Sequence, residues 1–559
     1  MNVNVLRLLF ILIALAIHTE QLSLPTDSSY NAAVVELPVQ VGTPRERVEL
    51  AKILYMNIIE SNDTADLDIL VFPEYVLSNR DSATFVPLPE QNVIPCFEPD
   101  YEMFLVEISC AVRARRIYVV LNLAEKELCG ANYGSDTWNP CPANGVRYFN
   151  TIVVLDRDGR VVSRYRKSHL WRQEYKSTSV LRQPDMSTFD TDFGVTFGHF
   201  ICFDMLFYEP AMRLVIERNI TDIIYPTYWF SELPFLGAVQ LQEGWAFAND
   251  INLLAADGSD PAGKTTGSGI YAGRAGRLSA GIFEQPTQHM FKARVPKRSR
   301  YTGEAFELPP KVLPAFSQQL ITPRYTALDT FRDYNVDIFE TRLLAVDFLN
   351  VTQRLCHEDF CCDFEVERSL IGNSADYAQY RYRLGVYHGN ETTFIRVDRS
   401  EQAVCAVFAC TSDELLSCGR IFSAAQPTAN QYYFRHIRIS GLFPAAKRRL
   451  IMPSTLDGVM LPLDVAQYTW SESPPAKQLQ DSLISLELTA PKNDLLTFAI
   501  WANYFTELPT THNLDHFQPV PSPSTPGNNN NNTSNAAASS IYAAVSTLCL
   551  LLLAVALKA

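Results

Sequence analysis

Short apolar segments typical of strands alternate with amphipathic helical segments between residues 30 and 280 of this 559-residue chain. "NAAVVELP", "DLDILVFPE", "IYVVLNLAEK" and "DIIYPT" predict strands, and "NTIVVLDRDGRVVSRYRK" predicts a hairpin that turns at Asp158-Gly159. "PRERVELAKILYMNIIES" has apolar residues at 48, 50, 53, 54 and 58, which is a helical spacing. Because such helices pack on the faces of a sheet, the alternation predicts an α/β domain with helices covering a mixed sheet.

The sequence changes character after the Pro-rich stretch "ELPPKVLPAF", where we place the end of a first domain that covers residues 28–310. Residues 320–505 contain six cysteines and alternating aromatic and β-branched segments such as "YYFRHIRIS". This composition predicts a smaller, mostly β domain stabilised by disulfides. Residues 508–540 are rich in Pro, Asn and Ser and are expected to form a flexible stalk.

Both ends of the sequence indicate a protein outside the cell. In residues 1–20 a single positive charge, Arg7, precedes an apolar stretch, which predicts a secretory signal peptide; a membrane anchor is the alternative. Residues 541–559 are mostly apolar and follow a polar, small-residue segment, the layout of a GPI-attachment signal that is removed when lipid is joined between Asn532 and Ala537. A transmembrane helix is the alternative there. We therefore expect the protein to be anchored by a GPI lipid at the extracellular face of the cell membrane, or shed from it.

Glycosylation sequons agree with an extracellular location. N-glycosylation is predicted at Asn62, Asn219, Asn350 and Asn390. The formal charge of −14 argues against a nucleic-acid partner, because phosphate binding needs a basic surface. Neither a metal nor a cofactor is expected, since the sequence has no His-Glu-x-x-His segment and no paired Cys-x-x-Cys sets. His169 and His199 are expected to pack or to form hydrogen bonds rather than to catalyse.

The number of cysteines singles out Cys202. Of the 12 cysteines, Cys549 lies in the segment expected to be removed, which leaves an odd number in an oxidising compartment. Four of the rest lie between residues 96 and 141 and six between 356 and 418, whereas Cys202 lies apart from both sets. We therefore expect Cys202 to be unpaired, either as a reactive thiol or as a buried inert one.

Three chemically versatile side chains follow predicted strands, at the ends where α/β sheets collect functional groups. Glu74 follows "ILVFP", Lys167 follows the hairpin and Cys202 closes "VTFGHFIC". Taken singly, Glu74 would more often be a solvated loop residue and Lys167 part of a basic surface run. Their occurrence together, in this order and on this kind of sheet, indicates a catalytic site.

"FPEYVL", "YRKSHLWRQE" and "FICFDMLFYEPA" resemble the three catalytic segments of the nitrilase (carbon–nitrogen hydrolase) superfamily, and more narrowly its vanin/biotinidase branch. "YPTYWF" and "GWAFANDINLLAAD" also fall where that branch has similar segments. The resemblance implies a nitrilase-type αββα sandwich followed by the mostly β domain. It also implies Cys202 as nucleophile, Glu74 as general base, Lys167 as catalytic lysine and Glu174 as an orienting residue. Candidates for the substrate pocket are Tyr228 and Trp229, with core packing as the alternative.

These residue types suit the hydrolysis of a small-molecule amide. A free cysteine has a pKa of about 8.5, so its thiol needs a base, here Glu74, and is helped by the Lys167 ammonium. Lys167 and the backbone N–H of Phe203 are expected to bind the oxyanion. The resemblance implies a pantetheinase or a biotinidase, and the GPI signal favours the former. The alternative from another class is a cell-surface binding protein on an inactive hydrolase scaffold. The oligomeric state stays open.

Overall fold

The computed structural model describes residues 22–505, apart from 131–135, 299–305, 312, 314–315, 317–327, 348, 372–376, 393–398, 424–425, 427, 429–430 and 476–478. The expected signal peptide, stalk and lipid-attachment segment lie outside the described residues. Within the described part of the chain, no helix combines the length and the apolar character needed to cross a bilayer.

The first domain contains the strands and helices that the alternating pattern predicts. Its helices are α1 (Pro44–Glu60), α2 (Met103–Arg115), α3 (Arg213–Ile216) and α4 (Ala238–Asn249). Its strands are, in chain order, β1 (Ser29–Glu36), β2 (Ile69–Val71), β3 (Tyr118–Leu128), β4 (Val146–Leu155), β5 (Val161–Arg166), β6 (Thr188–Asp190), β7 (Thr196–His199), β8 (Asp222–Thr227), β9 (Glu232–Leu233), β10 (Asn252–Asp257), β11 (Ser268–Ala272), β12 (Arg277–Gly281) and β13 (His289–Pro296).

Two six-stranded mixed sheets, ordered β13-β1-β2-β3-β4-β5 and β12-β11-β10-β8-β7-β6, stack face to face. The residue pattern alone predicted one mixed sheet; two form because the strands are apolar on both faces. In β1, Ala32 and Val34 join the core between the sheets, whereas Ala33 and Val35 pack with α1 and α2. The structure thus confirms the αββα sandwich that the resemblance implied.

The second domain is mostly β, as its composition predicts. After β14 (Phe331–Arg332), its strands are β15 (Glu340–Leu343), β16 (Asn350–His357), β17 (Phe360–Leu370), β18 (Arg381–Thr392), β19 (Arg399–Cys410), β20 (Tyr432–Phe443), β21 (Arg449–Asp457), β22 (Tyr468–Ser473), β23 (Ser482–Leu488) and β24 (Leu495–Tyr504). They form two five-stranded sheets, ordered β15-β18-β19-β24-β21 and β16-β17-β20-β23-β22, around a common apolar core.

Helix α4 belongs to both domains, because it is buried on more than one side. Trp245 joins the core between the sheets of the first domain, and Phe247 joins the core of the second domain. Gly244 faces β21 so closely that a Cβ atom there would lie 2.6 Å from the carbonyl oxygen of Pro453. The second domain therefore covers the outer face of a helix that belongs to the first.

The cysteines pair as their clustering suggested. The disulfides are Cys96–Cys110, Cys129–Cys141, Cys356–Cys361, Cys362–Cys405 and Cys410–Cys418. Within the described ranges Cys202 is the one free cysteine, and it is buried. The expectation that Cys202 is unpaired is confirmed. The adjacent residues Cys361 and Cys362 belong to separate disulfides.

The four sequon asparagines are exposed. Asn62 follows α1, Asn219 precedes β8, and Asn350 and Asn390 lie on strands of the second domain. This placement leaves each side chain accessible to a glycan, and glycosylation stays a prediction.

Opening the Cys362–Cys405 disulfide is expected to destabilise the second domain more than opening Cys356–Cys361. The first links β17 to β19, and therefore one sheet to the other, across 43 residues, whereas the second joins opposed residues of a hairpin 5 residues apart. From loop entropy we expect losses of about 4 and about 2 kcal/mol, respectively. Urea unfolding of C362A/C405A and C356A/C361A would measure both, and equal losses would contradict the ranking.

Candidate active site

The three predicted catalytic side chains meet at one end of the sandwich. Glu74 follows β2 and Lys167 follows β5, both strands of the first sheet, whereas Cys202 comes three residues after β7 of the second sheet. Each is almost fully buried: Glu74 is 0%, Lys167 2% and Cys202 6% exposed. The interpretations of Glu74 as a solvated loop residue and of Lys167 as part of a basic surface run are therefore wrong.

An ammonium held between two carboxylates forms the centre of the site. Lys167 Nζ donates to Glu74 Oε1 at 2.7 Å and to Glu174 Oε2 at 2.9 Å. Asn150 Nδ2 donates to the same two side chains, to Glu74 Oε1 at 2.7 Å and to Glu174 Oε1 at 3.0 Å. The lysine and the asparagine thus fix both carboxylates from different directions.

Two asparagines and a tyrosine complete this arrangement, and sequence reasoning missed all three. Asn122 Nδ2 donates to Asn150 Oδ1 at 2.6 Å, and Asn122 Oδ1 accepts from the backbone N–H of Tyr75 at 3.0 Å. The hydroxyl of Tyr75 donates to Glu174. The sequence indicates these residues only weakly. Each asparagine is a polar residue within an apolar strand segment, and Tyr75 directly follows Glu74.

Glu74 presents one carboxylate oxygen that is available for chemistry. Its Oε2 is buried and has no hydrogen-bond partner in the described part of the protein. Burial raises the pKa of Glu74 above its ordinary value, and the Lys167 ammonium partly offsets this effect. A buried carboxylate with a raised pKa and an unoccupied oxygen has the properties of a general base.

The Cys202 thiol is protonated in the resting site. Burial raises its pKa well above the ordinary value and the Glu74 charge raises it further, whereas Lys167 lowers it. Burial also lowers the pKa of Lys167, but Glu174 and Glu74 more than offset this, so the net pKa is raised and the side chain stays an ammonium. The lysine therefore favours the thiolate without producing it, and a base must remove the proton.

Cys202 begins a one-turn 3₁₀ helix, Cys202–Leu206, with a left-handed backbone conformation at φ 46°. This conformation is uncommon for residues other than glycine and occurs at functional sites, where surrounding contacts hold it. Here the Tyr225 hydroxyl donates to the Cys202 carbonyl at 2.9 Å. The Thr227 hydroxyl and the Tyr228 backbone N–H lower the pKa of the Cys202 thiol, against the larger effect of burial.

The two candidate pocket residues have different surroundings. Tyr228 is half-buried and lies edge-to-face against Tyr75, with ring centroids 6.4 Å apart, beside the carboxylates. Trp229 is buried in the core, and its Nε1 donates to the carbonyl of Leu236 at 2.9 Å. The structure thus places Tyr228 next to the reactive groups, whereas Trp229 packs in the core because its indole N–H finds a partner there.

Both histidines near the site form hydrogen bonds, as the sequence analysis expected. His199 Nε2 lies 2.7 Å from Ser163 Oγ, and burial lowers the pKa of the ring to about 3, so it is neutral. His169 Nδ1 lies 2.9 Å from Asp204 Oδ1. Across the described ranges, no cluster of three or more His, Cys, Asp or Glu side chains is placed to hold a metal ion.

Comparisons with known proteins agree with this fold. The Carbon-nitrogen hydrolase family matches residues 31–252, and the Vanin C-terminal domain matches residues 328–508. Vanin-like protein 1 of Drosophila melanogaster is 39% identical over 505 residues, which cover 87% of this chain and 88% of that protein. Human Pantetheinase is 30% identical over 448 residues, 74% of this chain and 82% of that protein.

Among solved structures, Saccharomyces cerevisiae Nit3, a member of branch 10 of the nitrilase superfamily, is similar to part of this chain. It covers 49% of this chain and 93% of its own length at 18% identity, with a TM-score of 0.37. The family matches and the Drosophila relative cover both domains of the chain. The chain therefore belongs to the vanin family of carbon–nitrogen hydrolases, which act on amide C–N bonds.

Proposed function

We propose that this chain is an extracellular pantetheine hydrolase, which splits pantetheine into pantothenate and cysteamine through a thioester on Cys202. The observation that carries the proposal is the buried Glu74 oxygen without a partner, in a carboxylate close enough to the free Cys202 thiol to shift its pKa. The substrate is inferred from relatives named for pantetheine, among them human Pantetheinase and human Pantetheine hydrolase VNN2.

The first half of the reaction forms the thioester. Glu74 Oε2 takes the thiol proton as the sulfur of Cys202 bonds to the amide carbon, and the carbonyl oxygen becomes an oxyanion. The Lys167 ammonium and the backbone N–H of Phe203 bind this oxyanion, each contributing about 3 kcal/mol to the transition state. The proton on Glu74 then passes to the leaving nitrogen, the C–N bond breaks and cysteamine departs.

The second half releases the acid. A water molecule gives its proton to Glu74 as its oxygen bonds to the thioester carbon, and the same donors bind the second oxyanion. The C–S bond breaks, the sulfur recovers the proton from Glu74, and pantothenate leaves with its carboxyl group. Asn150 holds Glu74 and Glu174 holds Lys167 throughout, so the reacting groups keep their orientation.

An extracellular location is supported by the disulfides and the exposed sequons. Five disulfides form readily only in an oxidising compartment, and the four sequon asparagines lie on the surface. Together with the predicted signal peptide and GPI signal, these features favour an enzyme held at the outer face of the cell membrane.

Turnover of pantetheine is expected to depend on Cys202. C202A lacks the nucleophile, and C202S keeps a hydroxyl whose proton Glu74 is too weak a base to remove, so both should lose activity while remaining folded. Secreted wild-type and variant proteins would be incubated with pantetheine and, separately, with biocytin, and the released amine quantified. Turnover of biocytin alone, or of neither compound, would contradict the pantetheinase proposal, and activity that survives C202A would contradict the assigned nucleophile.

The pH profile should report the raised pKa of Glu74. Because Glu74 acts as a base only when ionised, kcat/KM is expected to fall as the pH decreases through a value above 4.5, the ordinary pKa. E74Q should lower kcat/KM by about 10²- to 10⁴-fold and abolish this acid limb. E174Q is the matched control, because it removes a carboxylate that also binds Lys167 but leaves the base. A limb unchanged in E74Q would exclude Glu74 as the base.

Lipid attachment is expected to be removable by an enzyme. If residues 541–559 are exchanged for a GPI lipid, a phosphatidylinositol-specific phospholipase C should release the protein from intact cells. A chain ending at residue 505 is the control and should be found in the medium without treatment. Retention of the full-length protein on treated cells would favour the transmembrane alternative.

A further inference from the structure

A buried aspartate outside the catalytic steps connects the two segments that carry Lys167 and Cys202. Asp204 is completely buried, with 0% exposure. Burying a carboxylate is unfavourable unless hydrogen bonds replace its hydration. The donors that surround Asp204 are therefore informative about its role.

Four donors bind the two oxygens of Asp204. Oδ2 accepts from the Tyr165 hydroxyl at 2.7 Å and from the backbone N–H of Ile201 at 3.0 Å. Oδ1 accepts from the backbone N–H of His169 at 2.8 Å and from His169 Nδ1 at 2.9 Å. Because a carboxylate oxygen only accepts, the proton of the imidazole is assigned to Nδ1.

These donors lie in the two segments that carry the reactive groups. Tyr165 and His169 are two residues before and after Lys167, and Ile201 directly precedes Cys202. Lys167 follows a strand of the first sheet and Cys202 follows a strand of the second, so no backbone ladder links them. The carboxylate of Asp204 spans this gap and bonds to both segments.

We propose that Asp204 is the positioning residue of this site, which holds the Cys202 turn at a fixed distance from Lys167 and Glu74. The proposal deepens the proposed function, because it assumes that Cys202 is the nucleophile. The parallel stack of the His169 ring on Phe207, with centroids 3.7 Å apart, restrains the same junction. The left-handed conformation of Cys202 gives a reason for such support, since strained residues persist where their surroundings hold them.

The variant D204N tests this role because it keeps the shape of the side chain. An amide has one oxygen, so its NH₂ group would face either the Tyr165 and Ile201 donors or both donors of His169. The turn should then move away from the carboxylates. A displacement of about 1 Å of a reacting atom costs about 100-fold in rate. We expect kcat to fall by about 100-fold on pantetheine, with KM changed only a few-fold.

A second measurement does not depend on the substrate. Iodoacetamide should alkylate Cys202 of D204N more slowly than Cys202 of the wild type, because Glu74 no longer reaches the thiol proton. Peptide mapping would identify the alkylated residue.

D222N is the matched control. Asp222 is also buried, and it accepts from the Tyr30 hydroxyl at 2.8 Å and from Asn252 Nδ2 at 2.7 Å. It lies at the start of β8, whereas Cys202 lies near the other end of that strand, so Asp222 is remote from the reactive groups. D222N should unfold at a lower temperature while keeping kcat and the alkylation rate.

The variants Y165F and H169F each remove one hydrogen bond to Asp204 and keep an aromatic side chain at that position, so they test the proposal if D204N fails to fold. Slower alkylation in both would support it. The proposal would be overturned if Y165F and H169F, or a folded D204N, kept wild-type alkylation rates and kcat. It would also be overturned if D204N and D222N lost equal amounts of kcat and alkylation rate. Since alkylation needs no amide, absence of pantetheine turnover in the wild type would contradict only the substrate.

Discussion

One buried ammonium determines the organisation of this site. Lys167 lies between Glu74 and Glu174 in an environment from which water is excluded. A buried ion pair stabilises little by itself, and removing one partner leaves an uncompensated charge, so the three side chains must be placed together. The fold meets this requirement because the segments after β2 and β5, two strands of the first sheet, come together at one end of the sandwich. The two carboxylates together carry more charge than the single ammonium can neutralise. The proposed chemistry uses Glu74 Oε2, the oxygen that has no hydrogen-bond partner in the described part of the protein.

The second domain contributes to this arrangement through packing. It covers α4, whose other side joins the core between the two sheets of the first domain. It also packs so closely against Gly244 that a side chain would not fit there. A helix that is apolar on more than one side needs a second layer to cover it, and the β sandwich supplies that layer. The Cys362–Cys405 disulfide in turn holds the two sheets of that sandwich together. The catalytic domain thus depends on its neighbour for the burial of one of its own helices.

In the proposed mechanism the reacting groups act on what every amide substrate shares. Cys202 bonds to the carbonyl carbon and Lys167 binds the oxyanion, while Glu74 takes the proton from the thiol. Tyr75 and Tyr228 lie against each other beside these groups, and contact of Tyr228 with the substrate stays a prediction. Asp204 differs from both sets of residues, because its hydrogen bonds join the segments that carry the reactive groups.

The sequence by itself determined the α/β class, the mostly β second domain and the unpaired state of Cys202, and its motifs singled out the three residues of the proposed mechanism. These follow from local periodicity, from cysteine number and from contiguous motifs. Only the tertiary structure decided that Trp229 packs in the core, and that Asn150, Asn122 and Asp204 form hydrogen bonds around the site. The reason is physical: a polar residue in an apolar strand has the same local pattern whatever it bonds to, and its partners are fixed only when distant segments pack together.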